Sequence, residues 1–135
     1  MSRKMEEKKK KILVVDDDPD VVEVLRIVLT SAGYEFHCAM NSQAAIDKLH
    51  QVKPDLLILD IIMEDRSSGY QVAQEVRSDP SMNGLPIIML TAMERETGLR
   101  LLKAKGMTPP TVDVYMNKPI EPAKLLQEIK ELLEK

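Results

Sequence analysis

Three aspartates in this 135-residue chain stand where a short apolar run stops and a polar stretch begins. Asp16 and Asp17 follow the run at residues 12–15, and Asp60 follows the run at residues 56–59. Runs that are apolar on both alternating faces are typical of strands buried on both sides of a parallel sheet. The carboxyl ends of such strands form the ligand crevice of an open α/β sheet, so a shared site is predicted there. Alone, Asp60 fits a helix cap or a loop residue equally well.

Two further polar residues end predicted strands. Thr91 follows the apolar residues 85–90, and Lys118 comes just after the predicted strand at 112–116. Taken singly, Lys118 is a solvated lysine and Thr91 a β-branched strand residue. Parallel strands would bring both to the same sheet edge as the three acids, and this convergence makes them candidate site residues.

The residue types at this edge predict a particular chemistry. Three carboxylates about 5 Å apart repel one another by about 3 kcal/mol per pair at an effective dielectric constant near 20, so they favour a bound cation. Oxygen ligands with room for water suit Mg²⁺. Lys118 adds an ammonium and Thr91 a hydroxyl, a combination suited to a phosphoryl group. A carboxylate can itself be the nucleophile and form an acyl phosphate.

Strand and helix patterns alternate five times along the chain, which predicts an α/β fold with a three-layer, doubly wound, five-stranded parallel sheet and five helices. Asp18 and Pro19 fit the N-cap and first position of the first helix, and Asn41 or Ser42 can cap the second. The predicted strands cover residues 11–16, 34–39, 55–60, 85–90 and 112–116, and the least regular helix covers 94–105.

Composition limits the class of protein. A net charge of −3 gives no reason to expect nucleic acid as a direct partner, and no run is long enough to span a bilayer. A single cysteine, Cys38, excludes an internal disulfide and favours a cytoplasmic protein. We predict a basic tail at residues 1–10 and one domain at residues 11–135.

Taken together, these motifs resemble the receiver domains of two-component response regulators. The resemblance rests on the acidic pair after Ile-Leu-Val-Val, on the strand-end Asp60, on Thr91-Ala92 and on Lys118-Pro119. It covers nearly the whole chain after the basic tail. It implies a flavodoxin-like sheet with strand order 2-1-3-4-5, in the manner of CheY.

The resemblance also implies roles for the site residues. Asp60 would accept phosphate, Thr91 would follow the phosphoryl group, and Lys118 would pair with it. The resemblance implies Mg²⁺ as the cofactor, and the implied ligands are Asp17, Asp60 and the backbone carbonyl of Ile62, with Asp16 acting through water.

A switch is implied as well. Ala92 would leave room for the movement of Thr91, and Tyr115 would turn inward when Thr91 moves. A cis peptide bond is expected before Pro119. Alone, Tyr115 reads more simply as a partly exposed strand aromatic.

Expected partners are a histidine kinase or a histidine phosphotransfer protein, a downstream effector and, after phosphorylation, a second copy of the chain. Catalysis would be limited to self-assisted phosphotransfer and dephosphorylation. The loop at residues 64–68 is one residue longer than is usual in the family, and the stretch between Gly106 and Val112 is also long. Choice of partner therefore cannot be carried over from the family.

Two alternatives stay open. A phosphatase with an aspartate nucleophile would share the metal and the acyl phosphate, but Asp16 to Asp20 lacks its DxDxT/V pattern. A receiver-like interaction module without phosphorylation is the other alternative. We also expect the bulky apolar residues Ile62 and Met93 to exclude water and lengthen the life of the acyl phosphate.

Overall fold

The computed structural model describes residues 9–60, 68–91, 100, 103, 104, 106 and 112–134. The basic tail predicted at residues 1–10 lies outside this range except for its last two residues. The strands are β1 (Lys11–Val15), β2 (Glu35–Ala39), β3 (Leu56–Asp60), β4 (Ile87–Thr91) and β5 (Val114–Asn117), and the helices are α1 (Pro19–Ser31), α2 (Ser42–Val52), α3 (Ser68–Ser78) and α4 (Pro122–Leu133).

All five strands are parallel and lie in the order β2-β1-β3-β4-β5. The predicted sheet is therefore confirmed, including its strand order. β1, β3 and β4 are the three inner strands. Apart from Lys11 at its entrance, every residue of these three strands is buried. Both faces are covered because their side chains are apolar in both alternating directions.

Alternate residues of the inner strands feed two cores on opposite faces of the sheet. Leu57, Leu59 and Met89 pack with α2 and α3, and Ile58 and Leu90 pack with α1 and α4. The result is the predicted three-layer arrangement. It leaves the strand ends as the only part of the inner strands where a polar side chain can reach water.

The N-terminal caps of α1 and α2 are formed by residues that the sequence predicts for this role. The Asp18 side chain accepts a hydrogen bond from the Asp20 amide, and Pro19 occupies the first turn of α1. Asn41 caps α2 by accepting from the Ala44 amide at 2.8 Å. Within the described part of the chain, none of the helices combines the length and apolar character needed to cross a membrane.

All five strands differ from the predicted bounds by one or two residues at an end, and the largest differences are in β4 and β5. β4 begins at Ile87 rather than residue 85, because the Leu85 amide donates to the Met82 carbonyl in the preceding turn. β5 covers residues 114–117 rather than 112–116. In the segment predicted as a helix at 94–105, residues 100, 103 and 104 are helical and the others lie outside the described residues. Four of the five predicted helices thus have defined bounds.

The amino-terminal edge of the sheet carries two carboxylates with backbone partners. Asp55 accepts a hydrogen bond from the Lys11 amide at 2.8 Å, and Asp113 accepts one from the Ile87 amide at 2.8 Å. These hydrogen bonds join the first residue of β1 to the residue before β3, and the first residue of β4 to the residue before β5. The Nη2 atom of Arg77 lies 3.3 Å from the Oδ2 atom of Asp113. The Nη1 atom of Arg77 donates a hydrogen bond of 2.7 Å to the Leu85 carbonyl.

Candidate functional site

Asp16 lies at the opposite, carboxyl-terminal edge, directly after β1. Its side chain is fully buried. One carboxylate oxygen, Oδ1, accepts the Asp18 amide at 2.9 Å, and Oδ2 accepts the Lys118 ammonium at 2.9 Å. Burial of a carboxylate is costly unless it is paired, and here both oxygens have a donor.

Asp60 ends β3 between the ends of β1 and β4. The residue is only 6% exposed, and its Oδ1 lies 3.5 Å from the ammonium nitrogen of Lys118. In the ladder Asp60 is paired with Leu90, so Thr91 is one residue further along the neighbouring strand. The central acid of the predicted site is therefore flanked by two other predicted site residues.

Lys118 is held at this edge by the backbone of β4. Its amide donates to the Thr91 carbonyl at 2.8 Å, and the bond to Pro119 is cis, as expected. The side chain reaches back across the ends of β4 and β3 towards β1. The ammonium lies closer to Asp16 than to Asp60. The sequence predicted Lys118 as a phosphate partner and did not predict its bond to Asp16.

The electrostatics of the site follow from this crowding. The pKa of Asp60 is raised to about 6, chiefly because burial disfavours the charged carboxylate; the charge of Asp16 acts in the same direction, and Lys118 opposes both. Burial lowers the pKa of Lys118, but its hydrogen bond to Asp16 and the two acidic charges raise it by more, so the net direction is upward. Lys118 therefore keeps its positive charge at neutral pH, whereas the carboxyl of Asp60 has a pKa of about 6.

Asp17 completes an acidic cluster with Asp16 and Asp60. One carboxylate oxygen from each of the three lies within 4.8 Å of the others. This donor set is oxygen only and carries excess negative charge, which fits a hard divalent cation such as Mg²⁺. The carboxylates of Asp17 and Asp60 are suited to bind the cation directly. Asp16 fits an indirect role through water, because both of its oxygens already accept hydrogen bonds.

The residues predicted as a switch are placed only in part. Thr91 is fully buried at the end of β4. Tyr115 is partly buried and packs against the core that contains Met89, the residue opposite it in the ladder. Ile62, Ala92 and Met93 lie outside the described residues, so the Ile62 ligand and the two flanking positions stay sequence predictions.

Tyr70, near the start of α3, was not among the residues for which the sequence predicts a role. Its side chain is buried, yet its hydroxyl has no hydrogen-bond partner among the described residues. An aromatic residue at helical spacing gives no signal of this kind, because the partner of a hydroxyl is decided by tertiary packing.

Comparisons with known proteins agree with this geometry. The family model of the response regulator receiver domain matches residues 12–130. The crystal structure of a protein assigned as a response regulator from Chloroflexus aurantiacus J-10-fl is 34% identical, with a TM-score of 0.81, covering 95% of this chain and 100% of that one.

Two other crystal structures are similar. A CheY-like response regulator receiver domain protein from Methanospirillum hungatei JF-1 is 27% identical, with a TM-score of 0.79 and coverage of 94% of this chain and 95% of that one. The receiver domain of a histidine kinase from Syntrophus aciditrophicus is 28% identical, with a TM-score of 0.79 and coverage of 93% and 90%. The chain is a CheY-like receiver domain and belongs to the response regulator family of two-component signal transduction.

Proposed function

We propose that this receiver domain accepts a phosphoryl group on Asp60. The observation that carries the proposal is the setting of this carboxylate: it is almost fully buried, it is next to Asp16, and it lies 3.5 Å from the Lys118 ammonium. A buried acid without a ligand is costly, and an anionic group bound with a metal would complete the charge balance.

In the proposed step a carboxylate oxygen of Asp60 attacks the phosphorus of a phosphohistidine. The phosphorus–nitrogen bond breaks, the imidazole leaves with a proton from solvent, and an acyl phosphate forms on Asp60. The nucleophile must be ionised, and a pKa of about 6 leaves most Asp60 side chains ionised above neutral pH. Lys118 would pair with a phosphoryl oxygen and offset its charge.

Mg²⁺ is the proposed cofactor, held by Asp17 and Asp60 directly, by the Ile62 carbonyl, and by Asp16 through water. When bound, it would neutralise charge between the carboxylates and the transferred group. Asp16 has a second task, because its bond to Lys118 orients the ammonium towards Asp60.

We propose that the output is a changed surface rather than a released product. Thr91 would move towards the phosphoryl group, Ala92 would leave room for it, and Tyr115 would move inward. A histidine kinase or a phosphotransfer protein would supply the phosphoryl group, and a downstream effector or a second copy would read the surface. We infer a cytoplasmic location, because the single cysteine of the chain, Cys38, is a free thiol. The receiver domain is proposed to comprise residues 11–135.

The test is phosphorylation by acetyl phosphate, followed by intact mass. With Mg²⁺ present, the parent chain should gain one phosphoryl group, and Asp60→Asn should gain none. Chelation of the metal should abolish the adduct on the parent.

Asp55→Asn is the matched control, because Asp55 precedes the same strand and bonds a backbone amide at the other edge. This variant should be phosphorylated like the parent. An adduct on Asp60→Asn would mean that another residue is the acceptor. No adduct on the parent under any condition would contradict the proposal and favour an interaction module.

A further inference from the structure

Tyr70 begins the buried face of α3, two residues after the helix starts. Its side chain is 2% exposed and is the largest among the fully buried side chains of the described residues. The hydroxyl is buried as well, and no hydrogen-bond partner reaches it from any described residue. This is the one buried side-chain polar atom in the described part of the chain with that property.

A buried hydroxyl without a partner is unfavourable. It loses its hydrogen bonds to water on folding and gains nothing in exchange. Phenylalanine would fill the same space without that loss. A second state, in which the hydroxyl finds a partner, would account for a tyrosine at this position.

Tyr115 is the polar side chain best placed to provide one. It packs against the core cluster that includes Tyr70 and Met89, and it lies opposite Met89 in the ladder. It is only partly buried, so an inward movement of its ring would bury further surface. Burial first, and then the proximity of Tyr115, raise the pKa of Tyr70, which places the two phenols within electrostatic range.

The face of the sheet that carries Met89 also carries a residue of the proposed phosphorylation site. Thr91 follows Met89 by two residues on β4 and so shares its side. Its partner in the ladder is Asn117, two residues after Tyr115. An inward movement of Tyr115 towards Thr91 would thus carry its hydroxyl into the region of the sheet that Tyr70 covers.

We propose that Tyr70 is a positioning residue of the switch, whose hydroxyl bonds the Tyr115 hydroxyl when Asp60 is phosphorylated. This inference rests on the proposed function. This hydrogen bond would link α3 to β5. The helix α3 is the next one along the chain after Asp60. The bond would stabilise the phosphorylated arrangement alone, because in the described state the Tyr70 hydroxyl gains nothing.

The test compares binding of beryllofluoride, an analogue of the phosphoryl group, at a fixed Mg²⁺ concentration. Calorimetric titration of Tyr70→Phe should give an affinity about 3- to 10-fold weaker than the parent, the loss expected for one hydrogen bond. Tyr115→Phe should lose a similar factor, and the double variant should lose no more than either single variant. Without the analogue, Tyr70→Phe should be at least as stable as the parent.

Tyr34→Phe is the matched control, since Tyr34 is partly buried on the opposite face of the sheet and should leave the affinity unchanged. Equal affinity of Tyr70→Phe and the parent would overturn the inference, as would additive losses in the double variant. A parent that binds no beryllofluoride would instead contradict phosphorylation itself. The two failures are therefore distinguishable.

Discussion

Both edges of the sheet carry aspartates, but the two sets have different partners. At the amino-terminal edge, Asp55 and Asp113 each accept a backbone amide from a neighbouring strand at 2.8 Å. At the carboxyl-terminal edge, Asp16 and Asp60 face each other and Asp17, and Lys118 is their shared ammonium. The aspartates of the amino-terminal edge bind backbone amides where strands begin, whereas those of the carboxyl-terminal edge form a cluster of negative charge.

The difference shows how one fold can use some aspartates as structural groups and leave others able to bind a ligand. Carboxylates that accept the amide of a neighbouring strand, as Asp55 and Asp113 do, belong to the scaffold, because any change in them disturbs a strand. The carboxylate of Asp60 has only a shared side-chain ammonium within reach among the described donors, at 3.5 Å. Burial and the charge of Asp16 raise the pKa of Asp60 in spite of Lys118, so among the described groups its negative charge is only partly balanced. The following experiments test this difference between the two edges.

The largest effect is expected from Lys118→Met. Removing the ammonium should slow phosphorylation by acetyl phosphate by about 100- to 1000-fold, because its charge would no longer stabilise the transferring group. Arg77→Met removes the cation that pairs with Asp113 at the other edge and should leave the rate near that of the parent. A similar loss of phosphorylation rate in both variants would show that the two edges do not differ in this respect. Rates follow from intact mass over time.

The next effect concerns stability and pH. The pKa of Asp60 is raised to about 6 in the folded state, above its value of about 4 in an unfolded chain. The folded state thus binds more protons between these values, and the stability of the parent falls as pH rises from 4 to 6.

Asp60→Asn should remove that penalty. Without metal, its free energy of unfolding should exceed that of the parent by about 2 to 3 kcal/mol at pH 8 and by nothing below pH 4. Urea denaturation in the presence of a chelator measures both. A variant that is less stable than the parent at pH 8 would show that Asp60 is a scaffold acid after all.

Asp113→Ala should have the opposite sign. It leaves the Ile87 amide and the Arg77 guanidinium without their shared acceptor, so the free energy of unfolding should fall by about 1 to 2 kcal/mol. The fraction of folded protein that accepts phosphate should not change. Loss of phosphorylation at a temperature where the variant is fully folded would contradict the scaffold role.

The smallest effect is that of Mg²⁺ alone. At a concentration ten times its Kd, the metal should raise the free energy of unfolding of the parent by about 1.4 kcal/mol. Asp60→Asn should gain less, because one of the proposed ligands is lost. Asp55→Asn should gain as much as the parent; a smaller gain there would mean that the cation binds elsewhere.

Much of this architecture was predictable because its signals are local. The apolar runs identify all five strands to within one or two residues, and the helix starts predicted at Asp18-Pro19 and at Asn41 match the structure. Each of these signals depends on neighbours in the chain. The convergence of Asp16, Asp60 and Lys118 was predictable for a different reason. Parallel strands place all their carboxyl ends at one edge, so the topology brings these residues together.

What could not be predicted depends on distant partners. The start of β4 was placed two residues early, because the turn bond of Leu85 leaves no trace in an apolar run. The bond between Asp113 and the Ile87 amide joins residues 26 apart, and that between Lys118 and Asp16 joins residues 102 apart. No periodicity in a sequence encodes such pairs.

That last separation bears on folding. Contacts between residues far apart in sequence carry a high cost in chain entropy and depend on the strands between them being in place. The ammonium reaches Asp16 only when β1, β3, β4 and β5 lie side by side. A partly folded chain would hold its acids without their cation, so the capacity to receive a signal would arise only with the complete fold.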